Sequence, residues 1–250
     1  MNPNIEKLYD TLIFIAAKTK NWNQIILLSD KAFSNKLISK NDLNENKSIG
    51  FYEIAKIKFD SDTKDALKNI LKAVELKKNF APYVKLHLEI IVNLNDKRNL
   101  KKLIKKYWSI NPTSLLRSII TKIINDNHLT DIKFINEIIK NNASEVESKK
   151  LLIYFAIKNL KWDIARENIN GMIGTSPSKD ICYFMSDIEL GENNDKQKSD
   201  AWIMRAENAK FENRWICSIT NQSQEEWSSI SESGKYNSLV WSSPMMIRQN

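Results

Sequence analysis

Apolar residues recur at helical spacing along almost the whole chain, and short polar breaks interrupt them too often for long helices. The first stripe is Ile5, Leu8, Tyr9, Leu12 and Ile13, the i, i+3, i+4 pattern of one buried helix face. Breaks fall near residues 19–21, 39–46, 60–63, 93–96, 110–112, 125–130, 141–144, 159–161, 175–178 and 191–198. Helices of about 12–18 residues joined by such breaks form a run of antiparallel hairpins. Asp62 or Thr63, Thr130, Ser144 and Ser178 each offer a side-chain oxygen to the free N–H groups of a following first turn. Only 5 Gly and 5 Pro are present, too few for the turns of a strand-rich fold.

The hairpins repeat. Ala66, Ile70 and Ala73 stand at offsets of zero, four and seven, a small–large–small order that resembles the second helix of a tetratricopeptide unit. Small residues let that helix lie close to the first, and the large one fills the groove between them. A shift of 34 residues gives Leu100, Ile104 and Tyr107, followed by Pro112. A further 34 gives Phe134, Ile138 and Asn141, and a step of 31 gives Ala165, Ile169 and Met172, followed by Pro177. Ile25, Ser29 and Ala32 extend the frame upstream, and Ala201, Arg205 and Asn208 extend it downstream. The fold expected is all-α: a tetratricopeptide-like α-solenoid of antiparallel helical hairpins over residues 1–210, whose stacked units create a concave groove. Trp22 and Trp162 each open the second helix of a hairpin and read as packing wedges at the turn.

The helical period stops near Lys210. Trp215, Trp227 and Trp241 follow at spacings of 12 and 14, with Ser and Gly between them. Residues 211–250 are expected to form a compact non-helical tail with short extended pieces, folded back on the last hairpin. The order Trp215, Cys217, Trp227, Gly234, Tyr236, Leu239, Trp241, Pro244 resembles the C-terminus of the alphaproteobacterial HemY-type proteins. Trp108 with Pro112, and Asn21-Trp22, resemble two further segments of that family. The resemblance implies a repeat protein associated with haem biosynthesis, with haem-biosynthesis enzymes as partners. It also implies a place on the cytoplasmic face of the inner membrane if the family's N-terminal anchor, which would precede Met1, is missing from this sequence; otherwise the chain is expected to be cytoplasmic. Some family members carry a zinc-ribbon-like pair of C-x-x-C motifs in the tail. The matching positions here are Cys217 with Thr220 and Ile230 with Ser233. One thiolate cannot make a tetrahedral zinc site, so the tail reads as a degenerate ribbon held by its tryptophans.

The residues point away from catalysis. No phosphate-binding loop, dinucleotide fingerprint or H-E-x-x-H occurs. His87 and His128 lie in different hairpins without a ligand at helical spacing. Gly171 and Gly174 read as a helix end, and Glu145/Glu147 and Asp187/Glu189 read as solvated surface because i,i+2 carboxylates do not share a helix face. Cys182, among Ile181, Tyr183 and Phe184, reads as a buried small hydrophobe. Cys217 has no basic neighbour in sequence to lower its pKa. Two distant thiols suit a reducing compartment. The longest apolar run, residues 12–17, falls far short of the roughly 18 needed to cross a bilayer, and the N-terminus lacks a signal peptide's basic region.

The main charge feature, within a net charge of +8, is Arg98, Lys101, Lys102 and Lys105, followed by Lys106. These line one helix face opposite Leu100, Leu103, Ile104 and Tyr107. They are either a plain solvated face or a patch for an acidic partner or an anionic membrane surface. No catalytic, cofactor or metal residues are assigned. The expected function is a non-catalytic adaptor that binds proteins in a helical groove. Alternatives are an adaptor in envelope (lipopolysaccharide) assembly and a basic solenoid that binds nucleic acid. The last is disfavoured because aromatic residues do not interleave with the lysines.

Overall fold

The computed structural model describes residues 3–174, 177–209 and 213–243. The side chains of Asn4, Ile5 and Glu6, the break residue Thr175 and the tail-motif Pro244 lie outside what is described. Twelve α-helices are described: α1 (Pro3–Lys18), α2 (Trp22–Ser34), α3 (Lys40–Lys58), α4 (Thr63–Leu76), α5 (Ala81–Asn93), α6 (Lys97–Ile110), α7 (Ser114–Asp126), α8 (Ile132–Ile139), α9 (Val146–Lys158), α10 (Trp162–Ile169), α11 (Lys179–Asn193) and α12 (Lys196–Glu207). No described helix is long and apolar enough to cross a membrane.

Local sequence explains the boundaries. Asn21 accepts from the Gln24 N–H, Asp62 from Asp65, Thr113 from Leu116 and Asp195 from Lys198. Ser39 and Asp42 form a reciprocal capping box. That box starts α3 inside the stretch expected to be a break over residues 39–46. The actual connection is residues 35–39, because the polar first turn of α3 carries its own cap. A turn at residues 77–80, between α4 and α5, was not legible in the pattern. The last turn shrinks to Asn194 and Asp195, since α11 continues through Gly191. Asp131 and Glu145, not Thr130 and Ser144, are the N-caps of α8 and α9, and Ser178 holds its cap position without a side-chain bond. Lys20, Lys36, Asn79, Asn95, His128, Leu160 and Asn194 turn the chain with positive φ. These residues take the left-handed role that glycine usually fills, which is how so helical a chain uses so few glycines. Gly171 does not end α10 in that way. The helix tightens into a 3-10 turn over Asn170–Met172.

The chain forms two compact units. The first contains Met1–Lys97 with Asn213–Asn250, and the second contains Arg98–Glu212. In the first, α1/α2 and α3/α4 are antiparallel tetratricopeptide-like hairpins, with α5 following on α4. The frame residues of α2 and α4 (Ile25, Ser29, Ala66, Ile70 and Ala73) are wholly buried, and Ala32 nearly so. In the second unit, Leu100, Ile104, Tyr107, Phe134, Ile138, Ala165 and Ile169 are buried.

Two frame copies depart from expectation. Asn141 is exposed because α8 ends at Ile139, and Ile135 and Ile139 fill the core there. Ala201, Arg205 and Asn208 are exposed, whereas Ser199 and Ala206 are buried. The two small positions of the last copy therefore fall on Ser199 and Ala206, a step of 34 from Ala165, while Ile203 at the large position is exposed. The cue was polar: Ser199 bonds Ser186 across the hairpin at 2.8 Å.

Trp162 is the wedge expected at its turn. It packs on the cluster of Ile153, Ala156, Ala165, Ile169, Ile181 and Ile188, and its ring covers Gly191. A Cβ on Gly191 would clash with Trp162 Cη2 and stand 3.0 Å from Cζ2. Gly191→Ala gains about 1 kcal/mol of helix propensity but overpacks a rigid ring at about 1–3 kcal/mol. A lower urea midpoint is expected, recovered in Gly191→Ala/Trp162→Leu. A raised midpoint in the single variant would show that the contact is not tight.

The tail forms a three-stranded antiparallel sheet of β1 (Arg214–Cys217), β2 (Ser223–Gln224) and β3 (Leu239–Ser242), in the order β2-β1-β3. Trp215 pairs with Trp241 and Cys217 with Leu239. Expected on the last hairpin, the tail instead packs on α1, α3 and α5 of the first unit. Complementary aromatic and polar side chains wait there.

Candidate partner-binding faces

In the first unit α1, α3 and α5 are successive first helices; side chains of α3, α5 and the turn before α5 hold the tail, and Tyr9 of α1 supports the hold through Asn46. Trp227 sits in an aromatic box, with ring centroids 5.3 Å from Tyr52, 5.1 Å from Phe80 and 5.8 Å from Tyr83. All three contacts are edge-to-face, the arrangement that the ring quadrupoles favour. Tyr52 stacks on Tyr83 at 4.9 Å, and the Tyr83 and Ser48 hydroxyls are 3.1 Å apart. Phe80 also meets Trp215 at 5.9 Å, and Lys77, paired with Glu45, lies over the Phe80 ring. At the rim Lys85 pairs with Glu226 at 2.9 Å. On the α1 side, the Tyr236 hydroxyl donates to Asn46 Oδ1 at 3.1 Å, and Asn46 Nδ2 donates to the Tyr9 hydroxyl at 3.1 Å. Burial holds the phenols of Tyr52, Tyr83 and Tyr236 well above their ordinary range, so they remain neutral hydrogen-bonding groups.

Each described tail-motif residue has a place in this arrangement. Trp215 and Trp241 pack on each other at 5.3 Å across β1 and β3. Gly234 takes φ +78°, a backbone conformation that favours glycine, and the Lys18 Nζ that a Cβ would approach at 2.9 Å is the movable end of a flexible side chain. Cys217 is buried, and its thiol donates to Ser238 Oγ at 3.2 Å. Thr220 Oγ1 donates to Ser233 Oγ at 3.1 Å, and the Ser231 and Ser233 hydroxyls are 2.9 Å apart. Three of the four ribbon positions thus converge. The fourth, Ile230, instead forms a β-bridge with Tyr236. Neutral hydroxyls around one sulfur do not fit zinc, and no group of three or more His, Cys, Asp or Glu able to hold a metal occurs among the described residues.

Burial pushes the Cys217 thiol up. The Ser233, Ser238 and Thr220 hydroxyls and the Thr220 backbone pull it down further, from 9.0 to about 5. The hydroxyls therefore favour the thiolate, for which the Ser238 hydroxyl turns from accepting from Sγ to donating to it. That contribution is complete above the unfolded thiol's value and is lost as pH falls through the folded one. The stability gap between the native chain and Cys217→Ser should narrow from about pH 9 to about pH 5 in urea titrations. A gap that does not change with pH would show that the hydroxyls do not stabilise a thiolate. Cys182 is wholly buried, and burial raises its thiol, as its apolar neighbours suggested.

In the second unit the first helices are α7, α9 and α11. Arg117 Nε donates to Glu147 at 2.7 Å, and its guanidinium also pairs with Asp180. Lys150 reaches Asp180 at 3.2 Å and Glu147 at 3.5 Å. Asn125 Nδ2 donates to the Tyr154 hydroxyl at 2.8 Å. Tyr183 and Asp187 continue the α11 face outward and are exposed. Two acidic residues expected on solvated surface are internal: Glu147 bridges helices, and Glu189 is buried against Arg166. Their partners, Arg117 and Arg166, come from other helices, which spacing within one helix does not reveal. On α6, Arg98, Lys101, Lys102 and Lys106 are exposed opposite buried Leu100, Leu103, Ile104 and Tyr107. Lys101 lies over the Phe134 ring at 5.1 Å, and Lys105 pairs with Glu137 at 3.1 Å.

Sequence reasoning missed Asn46, Tyr52, Phe80, Tyr83 and Lys85 as tail contacts. One signal was available: Tyr52 and Tyr83 stand 31 residues apart, a repeat step, on consecutive first helices.

No known family matches the sequence, and no curated protein matches it. Among solved structures the chain resembles "MamA RS-1 ArsTM double mutant" at 10% identity and a TM-score of 0.35, over 65% of this chain and 93% of that one. It also resembles "MamA 41-end from Desulfovibrio magneticus RS-1" at 10% identity and a TM-score of 0.36, over 68% of this chain and 95% of that one. At those values the fold assignment rests on this chain's own helices and their buried frame.

Proposed function

We propose that the chain is a non-catalytic scaffold that binds segments of other proteins along the first-helix faces of its hairpins. One observation carries this reading: α1, α3 and α5 already hold a non-helical polypeptide, the chain's own tail, through an aromatic box, an ion pair and a tyrosine–asparagine bond. Repeat arrays characteristically bind through such extended faces. The tail covers this face of the first unit, so an incoming partner meets α7, α9 and α11 of the second. There Tyr183, 44% exposed, supplies an aromatic anchor, and the exposed Asp187 one turn on suits a polar or basic partner segment.

The likeness of the tail to HemY-type proteins supports partners among haem-biosynthesis enzymes at the inner membrane. The exposed cations of α6 support contact with anionic lipid headgroups, each basic residue near such a surface being worth about 1 kcal/mol. The test is capture from membrane extracts by the full chain and by a Tyr183→Ala/Asp187→Lys variant. Haem-biosynthesis enzymes should be retained by the native chain and lost by the variant. Enrichment of lipopolysaccharide-assembly enzymes would move the scaffold to envelope assembly, and equal capture by the variant would remove the α11 face as the site. For α6, Arg98→Glu/Lys102→Glu should weaken binding to phosphatidylglycerol vesicles. Binding to DNA or RNA that falls steeply with salt would favour nucleic acid instead.

A further inference from the structure

The tail is built like a docked module. Its sheet, its Trp215–Trp241 pair and its Cys217 hydroxyl cluster are internal to it. Its hold on the helices has the anatomy of a protein–protein interface, with a buried aromatic anchor at the centre and an exposed ion pair at the rim. Trp227 is 8% exposed inside the box, whereas the Glu226 side chain beside it is 80% exposed and reaches Lys85. Charge and shape are therefore matched to one short feature, an acidic residue followed by tryptophan.

We propose that the face of α1, α3 and α5 is a recognition surface for a protein segment carrying an acidic residue followed by tryptophan, and that the tail is its built-in competitor. The proposal rests on the scaffold reading and gives it a second, regulated face. The tail is tethered, so it competes at an effective concentration on the order of millimolar. An external segment then binds weakly until the tail is loosened.

The probe is a fluorescent synthetic peptide of residues 213–243, titrated into the full chain. The peptide should bind full-length Trp227→Ala at least about tenfold more tightly than the native chain, and a peptide carrying Trp227→Ala should not bind. The milder full-length Glu226→Gln/Tyr236→Phe changes only the tail, removing one ion pair and one hydrogen bond, and should give a gain of about threefold. A folded Trp227→Ala chain that ignores the peptide, or binds it no better than the native chain, overturns the proposal. So does a Trp227→Ala chain that has lost its cooperative unfolding transition while the rim variant gains nothing, because the tail is then part of the core. If peptide binding fails while Tyr183-dependent capture persists, this inference falls alone. If both fail, the scaffold reading falls with it.

Discussion

Trp108→Ala is expected to lower the unfolding free energy of the second unit by about 3–5 kcal/mol, the range for removing a fully buried large aromatic. Trp108 has no exposed surface. Its indole N–H donates to Ser148 Oγ at 3.0 Å, and its carbonyl accepts from Asn142 Nδ2 at 2.9 Å. Ser148 closes the ring by donating to Asn142 Oδ1 at 3.2 Å. This triangle joins the end of α6 to the turn before α9 and to α9 itself. Alanine leaves a cavity and strands the serine acceptor. Trp108→Phe keeps most of the volume but loses the N–H and the remainder of the five-membered ring, so a smaller loss, about 1–3 kcal/mol, is expected. Urea unfolding followed by circular dichroism separates the two. Equal losses in both variants would mean that the hydrogen bond, not the volume, holds α6 in place.

The second large effect is expected at the charge cluster of α7, α9 and α11. Arg117 and Lys150 are largely buried, with side chains 14% and 10% exposed, and share Glu147 and Asp180. Asp180→Asn preserves shape but leaves two cations with one carboxylate. Breaking a buried ion pair from one side costs about 3–5 kcal/mol, and the partial exposure of Asp180, 27%, places the expected loss near the lower end. Lys150→Met in the same chain removes the stranded cation and refills its volume. The double variant should therefore lose less than the sum of the singles, with a coupling above about 1 kcal/mol. Strict additivity would mean that the residues do not act as one network.

How far the sequence revealed the molecule depends on the range of the interaction. The small–large–small frame was legible because it is local. Ala66, Ile70 and Ala73 lie on one stripe of α4, and burying that stripe is a helix's main source of stability. The frame slipped at Arg205 because the last hairpin is joined by Ser199 and Ser186, whose pairing has no apolar signature. The turn at residues 77–80 was hidden because Asn79, not glycine or proline, makes it.

The candidate faces were less legible. The tail motif was recognised as residues, but not what those residues touch. Tyr236 bonds a residue 190 positions away, and Glu226 pairs with one 141 positions away. Such contacts leave no periodic trace. The sequence by itself determined that the chain folds as helical hairpins with a non-helical, tryptophan-anchored tail, because periodicity and caps act within a few turns of chain. Only the tertiary structure decided that the tail seats on α1, α3 and α5, that hydroxyls gather around Cys217, and that Glu147 and Asp180 lie inside a charge network. Each of those arises where distant segments meet, and the free energy of that meeting belongs to neither segment alone.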